Sequence, residues 1–253
     1  MNQHNKDRIV GLLKGIETGD PESVRVVNEA RYIQHNPQTR EGSVGLAELF
    51  KQLAATNPRV NIVRVFEDGD FVFAHTEYDF ASRNIGFEVF RFEAGQAVEH
   101  WDNIQRRIDP EDDGPSMVDG PVEPTDLSLT EFNRATVRRF VDDVLISGTE
   151  GKLEDFIETD HYTEHHPHTD GGHSVFAAQL GSKHLSHSRV YEKRHHLLAE
   201  GSFVLTACEG RLNGRHTAYY DLFRLQGGKI IEHWDTIETI PDRQEWRNDN
   251  GKF

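Results

Sequence analysis

Two four-residue segments carry the titratable side chains best suited to chemistry in this sequence. Each reads Glu-His-Trp-Asp, at residues 99–102 and 232–235. A carboxylate enclosed by apolar side chains can act as a general base, because burial raises the pKa of a carboxyl group towards neutrality. A neighbouring neutral imidazole can polarise a carbonyl group or carry the proton. These residue types therefore indicate acid–base chemistry.

A second pair of matched segments lies upstream of the first. Residues 32–37 read Tyr-Ile-Gln-His-Asn-Pro, and residues 162–167 read Tyr-Thr-Glu-His-His-Pro. The His35 imidazole, in a loop beside a proline, could act on a ligand or form a hydrogen bond that stabilises the loop. The sequence is consistent with both interpretations.

The matched segments belong to a tandem repeat. Residues 90–102 and 223–235 are identical at seven of thirteen positions, and the order of the matched segments is the same in both halves. The offset between them changes only from 130 to 133, which is the effect of small loop insertions. We predict a first domain at 1–110, an acidic, proline-rich linker at 111–126, and a second domain with a polar tail at 127–253.

Each half begins with helices and ends with strands. In the first half, Ile9, Leu12, Leu13 and Ile16 recur at helical spacing, Val24, Val27 and Ala30 predict a second helix after Asp20-Pro21, and a third helix follows Ser43. Four strands are then predicted near 59–66, 71–80, 86–93 and 96–107. This order favours an α+β unit in which helices pack on one face of a curved antiparallel sheet and enclose a conical cavity.

The last strand places its titratable groups on two faces. Side chains alternate along a strand, so Val98, His100, Asp102 and Ile104 share one face, and Ala97, Glu99, Trp101 and Asn103 share the other. Periodicity does not decide which face looks inward, because a bulge would exchange the two. Asp102 could equally be a structural carboxylate bonded to the backbone or to Arg91.

Composition excludes several classes of protein. The net charge of −15 argues against nucleic acid as a partner, because such proteins present clustered Lys and Arg. No apolar segment has the length of a membrane span and the first twenty residues do not resemble a signal peptide, so we expect no membrane partner and a cytoplasmic location. Cys208 is the only cysteine, so the chain cannot form an internal disulfide.

A histidine-rich stretch in the second half could suggest a metal site. Imidazole is a common ligand for zinc, copper and nickel. In this stretch, however, only His165 has a counterpart in the first half, and the spacing matches no helical metal-binding pattern. We therefore predict neither a metal nor another cofactor. The stretch contains His161, His165, His166, His168 and His173.

The repeated segments resemble the SnoaL-like proteins of the nuclear transport factor 2-like superfamily, in the branch described as aldol-condensation enzymes. The resemblance is carried by residues 32–37, 70–75, 90–92 and 99–105, and it extends more weakly over 127–240. It implies a cone-shaped α+β barrel, also called cystatin-like, in each half. Because such folds host many functions, the resemblance does not by itself identify an activity.

The resemblance also implies site residues and partners. In cyclases of this family a strand carboxylate acts on a carbonyl substrate without a cofactor, and Asp102 and Asp235 occupy that position. The implied catalytic residues are Asp102, His35, His75, Asp235 and His165. The implied ligand-binding residues are Tyr32, Gln34, Asn36, His100, Arg91, Tyr162, His166 and His233. Family members commonly pair through their sheets, so we expect an intramolecular pseudo-dimer, which could form a homodimer.

The second half departs from the family pattern at four positions. His166, Ala207, Glu164 and Glu238 stand where the first half has Asn36, His75, Gln34 and Gln105. We therefore expect the first half to be the better candidate for activity. Two classes of function remain open: a cofactor-free lyase, isomerase or cyclase acting on a small carbonyl compound, and a non-catalytic module for binding small molecules or for assembly.

Overall fold

The chain divides into two compact units in a computed structural model that describes residues 4–110, 114–148, 153–158, 160–166 and 189–253. Unit 1 comprises residues 1–107 and 240–253, and unit 2 comprises residues 108–239. The sequence-based division differs at two segments. Residues 114–126 belong to unit 2 rather than to a free linker, and residues 240–253 belong to unit 1 rather than to a tail of the second domain.

Unit 1 has the predicted order of helices followed by strands. Its elements are α1 (Asn5–Thr18), a short 3₁₀ helix (Pro21–Val26), β1 (Ile33–Gln34), α2 (Gly42–Ala54), β2 (Arg59–Asp68), β3 (Phe71–Asp79), β4 (Arg83–Glu93) and β5 (Gln96–Arg106). The strands form one sheet in the order β1-β5-β4-β3-β2. The pairs among β2 to β5 are antiparallel, and β1 runs parallel to β5.

The predicted second helix is wrong beyond its first turns. The Asp20 side chain accepts a hydrogen bond from the backbone N–H of Glu22 and begins a 3₁₀ helix. That helix ends at Val26, and Val27 forms a bridge with Ala97 of β5. Pairing with the sheet therefore replaced the helical continuation that the spacing of apolar residues suggested.

The core of unit 1 lies between the helices and one face of the sheet. It contains Ile9, Leu12, Leu13 and Ile16 of α1, Leu46 and Phe50 of α2, and Val72, Ala74, Phe90 and Ala97 of the strands. Ala97 packs in this core because the pairing of β4 with β5 shifts by one residue between Arg91 and Phe92. Beyond this bulge, the face with His100 and Asp102 looks towards the helices.

Unit 2 repeats the α+β arrangement. Its elements are a 3₁₀ turn (Leu127–Leu129), α3 (Thr130–Arg139) continued by a wider π-helical segment (Phe140–Ile146), α4 (Leu153–Phe156), β6 (Thr163–Glu164), β7 (Arg189–Glu200), β8 (Phe203–Leu212), β9 (Arg215–Gln226) and β10 (Lys229–Thr239). The sheet order is β6-β10-β9-β8-β7, and β10 has a bulge next to Ile231. The counterpart of α2 would fall at 167–188, outside the described residues.

The expected α+β class is confirmed in both units. Each sheet has five strands in the described residues, and its last four strands form an antiparallel meander. Within the same residues, no helix has the length and apolarity needed to cross a membrane.

Candidate active site

Unit 1 contains a cavity of about 560 Å³ between its helices and its sheet. Such a volume is typical of pockets for small organic molecules. Apolar side chains of α1 and α2 form much of the wall, among them Leu12, Ile16 and Phe50. The sheet contributes the polar side chains of Gln34, Tyr78, Glu88, His100 and Asp102. Further polar residues of the lining are Asn36, Gln38, Thr39, Glu245 and Arg247. Polar groups that converge on an otherwise apolar cavity can orient a ligand and act on it.

Asp102 is fixed in this cavity by two side chains from other elements. The Asn36 amide nitrogen Nδ2 donates a hydrogen bond of 2.6 Å to Asp102 Oδ2. The Lys252 ammonium lies 3.4 Å from Asp102 Oδ1, and both side chains are buried. An amide donor and an ammonium group both stabilise a negative charge on the carboxylate.

His100 belongs to a chain of buried hydrogen bonds. Gln34 Oε1 accepts from the backbone N–H of Asn36 at 2.9 Å, so this atom is the amide oxygen. The same oxygen lies 3.0 Å from His100 Nδ1, which must therefore carry a hydrogen. His100 Nε2 lies 2.8 Å from Glu88 Oε2, and Tyr78 donates to Glu88 Oε1 at 2.7 Å. Glu88 and His100 can share one proton across their contact.

Two carboxyl groups with different surroundings thus face one cavity. Glu88 and Asp102 are directly paired across β4 and β5, and donor atoms of Glu88, His100 and Asp102 lie within 4.8 Å of one another. Asp102 is held by an amide and an ammonium group, whereas Glu88 is bonded to an imidazole and a phenol. Burial raises the pKa of Tyr78, with a further contribution from Glu88, so its hydroxyl remains a donor. Such an asymmetric pair can divide the roles of base and acid.

His35 lies on the opposite face of the sheet. Its ring stacks on Trp101 at a centroid distance of 4.8 Å, and its Nε2 lies 2.9 Å from Glu99 Oε1. Its Nδ1 lies 3.2 Å from the Gly251 carbonyl oxygen and donates to it. The structure therefore does not bring His35 to Asp102, because neighbouring residues of β5 point to opposite faces.

His75 and Arg91 also lie away from the cavity. His75 Nδ1 contacts the Arg64 guanidinium at 2.7 Å, and its ring packs edge-on against Phe87. Arg91 donates to Glu99 at 2.7 Å, on the same side as His35. Alternation along β3 and β4 turns both residues away from the face that carries Tyr78 and Glu88. Among the predicted residues of unit 1, Gln34, Asn36, His100 and Asp102 line the cavity.

Tyr32 supports the site without lining the cavity. Its ring lies parallel to that of His100 at a centroid distance of 6.5 Å, and its side chain belongs to the core of unit 1. Burial raises the pKa of Tyr32, and the nearby carboxylates of Glu88 and Asp102 act in the same direction. The phenol therefore stays neutral and packs beside the imidazole.

The corresponding carboxylate in unit 2 is part of an ion cluster. Asp235 Oδ1 lies 2.6 Å from His166 Nδ1, and Asp235 Oδ2 accepts from Arg189 at 2.9 Å. Burial alone would raise the pKa of Asp235, but His166 and Arg189 outweigh it and hold the pKa below its usual range. A carboxylate bound in this way is a poor proton acceptor.

His233, the counterpart of His100, is held between two carboxylates. Its Nδ1 lies 2.8 Å from Glu164 Oε1, and its Nε2 lies 3.1 Å from Asp221 Oδ1. Burial opposes protonation, yet the carboxylates, Glu164 first, raise the pKa of His233 to about 10. Tyr162 donates to Glu164 at 2.8 Å and extends the network. The exchange of Gln34 for Glu164 thus places a second carboxylate beside the histidine of unit 2, where unit 1 has an amide.

His165 matches His35 in its contacts as well as in its position. It stacks on Trp234 at 4.4 Å, and its Nδ1 lies 2.9 Å from the Ser116 carbonyl oxygen. It is therefore not next to Asp235. Of the other histidines in the histidine-rich stretch, His168 and His173 lie outside the described residues.

Among the described residues, two sets of side chains have the donor types and spacing of a metal site. They are Glu88, His100 and Asp102 in unit 1, and Asp221, His233 and Asp235 in unit 2. In each set a cationic side chain already contacts the second aspartate, Lys252 in unit 1 and Arg189 in unit 2. These cations would compete with a bound metal ion. The absence of a cofactor remains a prediction from the sequence.

The site also contains residues that the sequence analysis did not predict, which include Tyr78, Glu88, Glu245, Arg247 and Lys252. Glu88 has a detectable signal, since the offset of 133 aligns it with a second carboxylate, Asp221. Tyr78 aligns with Gly210 and gives no repeat signal. Lys252 is 150 positions from Asp102 and has no pattern that connects the two.

No protein-family profile matches the chain, and no curated protein matches it. Solved structures do match part of it. A proposed polyketide cyclase from Streptomyces antibioticus is 19% identical with a TM-score of 0.36, over 40% of this chain and 93% of that one. A proposed ketosteroid isomerase from Kribbella flavida is 16% identical with a TM-score of 0.37, over 45% and 83%. A nuclear transport factor 2-like protein of unknown function from Cytophaga hutchinsonii is 14% identical with a TM-score of 0.35, over 42% and 95%.

Proposed function

We propose that unit 1 is a cofactor-free acid–base enzyme that acts on a small carbonyl compound, as a lyase, isomerase or cyclase of the aldol type. The observation that carries the proposal is the convergence of Asp102 and the Glu88–His100 pair on one cavity whose wall on the side of α1 and α2 is apolar. A base and an acid within reach of one bound molecule are the minimum that proton transfer next to a carbonyl requires.

The two carboxyl groups take different roles in this proposal. Asp102 removes a proton from the carbon next to the substrate carbonyl, and the electron pair of that C–H bond moves to form an enolate. The proton shared by Glu88 and His100 neutralises the developing charge on the carbonyl oxygen. Return of a proton at another carbon gives isomerisation, and attack of the enolate on a second carbonyl gives an aldol product.

Unit 2 has a different role under this proposal. Its aspartate is occupied by Arg189, and its histidine stays cationic, so neither group is available to exchange protons near neutral pH. The unit retains the architecture and the buried polar network of unit 1. We propose that it supports the protein without catalysing the same reaction.

Hydrogen–deuterium exchange tests the reaction class without knowledge of the natural substrate. The protein is incubated in D₂O with acetophenone, cyclohexanone or indanone, and NMR follows the loss of the proton next to the carbonyl. We expect catalysed exchange in the wild type, and a loss of about 100-fold or more in Asp102→Asn. The amide keeps the size of the side chain but removes the base.

The matched control is Asp235→Asn, the same change at the corresponding position of unit 2. It should leave the exchange rate within about twofold of the wild type as long as the protein remains folded, which circular dichroism verifies. Equal losses at the two positions would show that the assignment to unit 1 is wrong. Binding of the ketones without exchange would support the alternative, a non-catalytic binding module.

A further inference from the structure

Residues 245–252 form a clamp on the loop that carries Gln34 and Asn36. The backbone N–H of Arg247 donates to the Pro37 carbonyl oxygen at 2.7 Å. The Asn248 side chain donates to the carbonyl oxygens of Asn36 and Thr39, at 2.7 and 2.9 Å. With a bond from Asn250 to the Gln34 carbonyl oxygen, four hydrogen bonds reach backbone oxygens of residues 34–39 and fix the position of this loop far better than a single contact could.

The same clamp reaches the beginning of the loop. Asn250 Nδ2 donates to the Gln34 carbonyl oxygen at 3.0 Å and to Glu41 Oε2 at 2.5 Å. The Gly251 carbonyl oxygen accepts from His35 Nδ1. His35 is thereby explained as an anchor for the clamp rather than as a group that acts on a ligand.

The clamped loop provides the side chains that orient the acid and the base. Gln34 fixes the hydrogen on His100 Nδ1, and Asn36 donates to Asp102. A displacement of this loop would alter both contacts at once. Residues that follow the last strand of unit 2 in the chain are therefore built into the candidate site of unit 1.

Lys252 gives the clamp a direct contact with Asp102. Its side chain is only 1% exposed, and its Nζ lies 3.4 Å from Asp102 Oδ1. A lysine is seldom buried to this extent unless its charge is matched. Asn36 and Lys252 hold the two different oxygen atoms of the carboxylate, which restricts its rotation.

In unit 2, Ser116 and Asp119 contact His165 and Trp234, but the cation that contacts the aspartate comes from a strand. The Ser116 carbonyl oxygen lies 2.9 Å from His165 Nδ1, and it corresponds to the Gly251 carbonyl oxygen that contacts His35 in unit 1. Trp234 donates to the Asp119 carbonyl oxygen at 3.0 Å. The partner of Asp235 is instead Arg189 of β7. A lysine therefore contacts the strand aspartate in unit 1, whereas an arginine does so in unit 2.

We infer that residues 245–252 complete the site of unit 1 and that Lys252 is a positioning residue, which holds Asp102 in place for proton removal. This inference rests on the proposed function for its effect on rate. It assigns residues that are distant in sequence to the site of unit 1. It also predicts that the activity of unit 1 depends on residues that follow unit 2 in the chain.

The test compares Lys252→Met, which removes the charge, with Lys252→Arg, which keeps it. In the deuterium-exchange assay, Lys252→Met should lower kcat about 10-fold or more and change KM less than about twofold. Lys252→Arg should recover most of the rate. Lys229→Met is the matched control. The ammonium group of Lys229 donates hydrogen bonds to the backbone carbonyl oxygens of Glu154 and Asp155, which lie in unit 2.

A second readout does not require activity. The side-chain amide of Asn36 donates to Asp102 and reports its position in a ¹H–¹⁵N NMR spectrum. We expect this signal to shift in Lys252→Met, to return towards its wild-type position in Lys252→Arg, and to stay unchanged in Lys229→Met. The spectrum also shows whether each variant is folded.

These readouts separate two kinds of failure. If no ketone exchanges in the wild type, the proposed function is not supported, while the Asn36 signal still tests the positioning role. An unchanged Asn36 signal in folded Lys252→Met would overturn the inference. So would equal losses of kcat in the methionine and arginine variants, since such losses would reflect packing rather than charge.

Discussion

The charge of His233 provides the sharpest test of how the two units differ. The perturbation is Glu164→Gln, which gives unit 2 the residue that unit 1 has at position 34. Glutamine can keep the hydrogen bond from His233 Nδ1 to its amide oxygen, while its amide nitrogen would donate to the Tyr162 hydroxyl instead of accepting from it. The main effect of the change is the removal of one negative charge. The expected result is a lower pKa for His233.

The magnitude follows from the shift in the wild type. The pKa of His233 is raised from 6.5 to about 10, and Glu164 is the largest favourable contribution. An opposite charge at hydrogen-bond distance accounts for about 1 to 3 pKa units, so His233 in the variant should titrate at least one unit lower. The full shift corresponds to at most about 5 kcal/mol of stability.

The sign of the pH dependence is fixed by the direction of the shift. A histidine with a raised pKa in the folded state contributes its full stability below pH 6.5 and loses it as the pH rises through about 10. Glu164→Gln should therefore destabilise the protein most at and below neutral pH. The difference from the wild type should shrink in alkaline solution, where His233 is neutral in both proteins.

Two measurements check this prediction. Long-range ¹H–¹⁵N NMR follows the titration of the His233 ring nitrogens. Urea unfolding between pH 6 and pH 10 measures the free energy of unfolding across the interval between the ordinary pKa of 6.5 and the raised pKa of about 10. Gln34→Glu is the reverse control, and it should reduce deuterium exchange because it places a second carboxylate beside His100. An unchanged titration of His233, or a loss of stability that does not depend on pH, would refute the reasoning.

Two further outcomes are expected from the contacts of unit 2. Arg189→Met should lower the free energy of unfolding by about 3 kcal/mol at pH 7, because it leaves the buried Asp235 with a weaker partner. In urea unfolding, the double variant Arg189→Met/Asp235→Asn should be less destabilised than Arg189→Met alone. Since the pKa of Asp235 is lowered in the folded state, the effect of Arg189→Met should fade as the pH drops below about 4. Cys208 should not react with a thiol reagent in the native protein but should react fully in denaturant. Burial raises the pKa of its thiol and excludes the reagent. Rapid labelling of Cys208 in the native protein would contradict this prediction.

The sequence by itself determined the repeat, the α+β class and the strands. The predicted strands near 71–80 and 96–107 agree with Phe71–Asp79 and Gln96–Arg106 within a few residues. They could be predicted because alternation and turn residues are local properties of the chain. The shared face of His100 and Asp102 followed from the same alternation, and both side chains line the cavity.

Only the tertiary structure decided which groups meet in the cavity. Alternation states which residues share a face but not which face the helices cover, so His35 and His75 were assigned to a site from which they point away. The bulge between β4 and β5 set that choice by placing Ala97 in the core. A one-residue shift of this kind depends on the pairing of strands and leaves no mark on the periodicity of either strand.

Long-range packing decided the remaining parts of the site. Glu88 faces Asp102 because of the register between two strands, and Lys252 reaches Asp102 because residues 240–253 fold back into unit 1. The sequence showed this segment only as a polar tail. Its role depends on hydrogen bonds to the backbone of residues 34–39, and backbone acceptors are the same for every sequence. For that reason no pattern of side chains could reveal it.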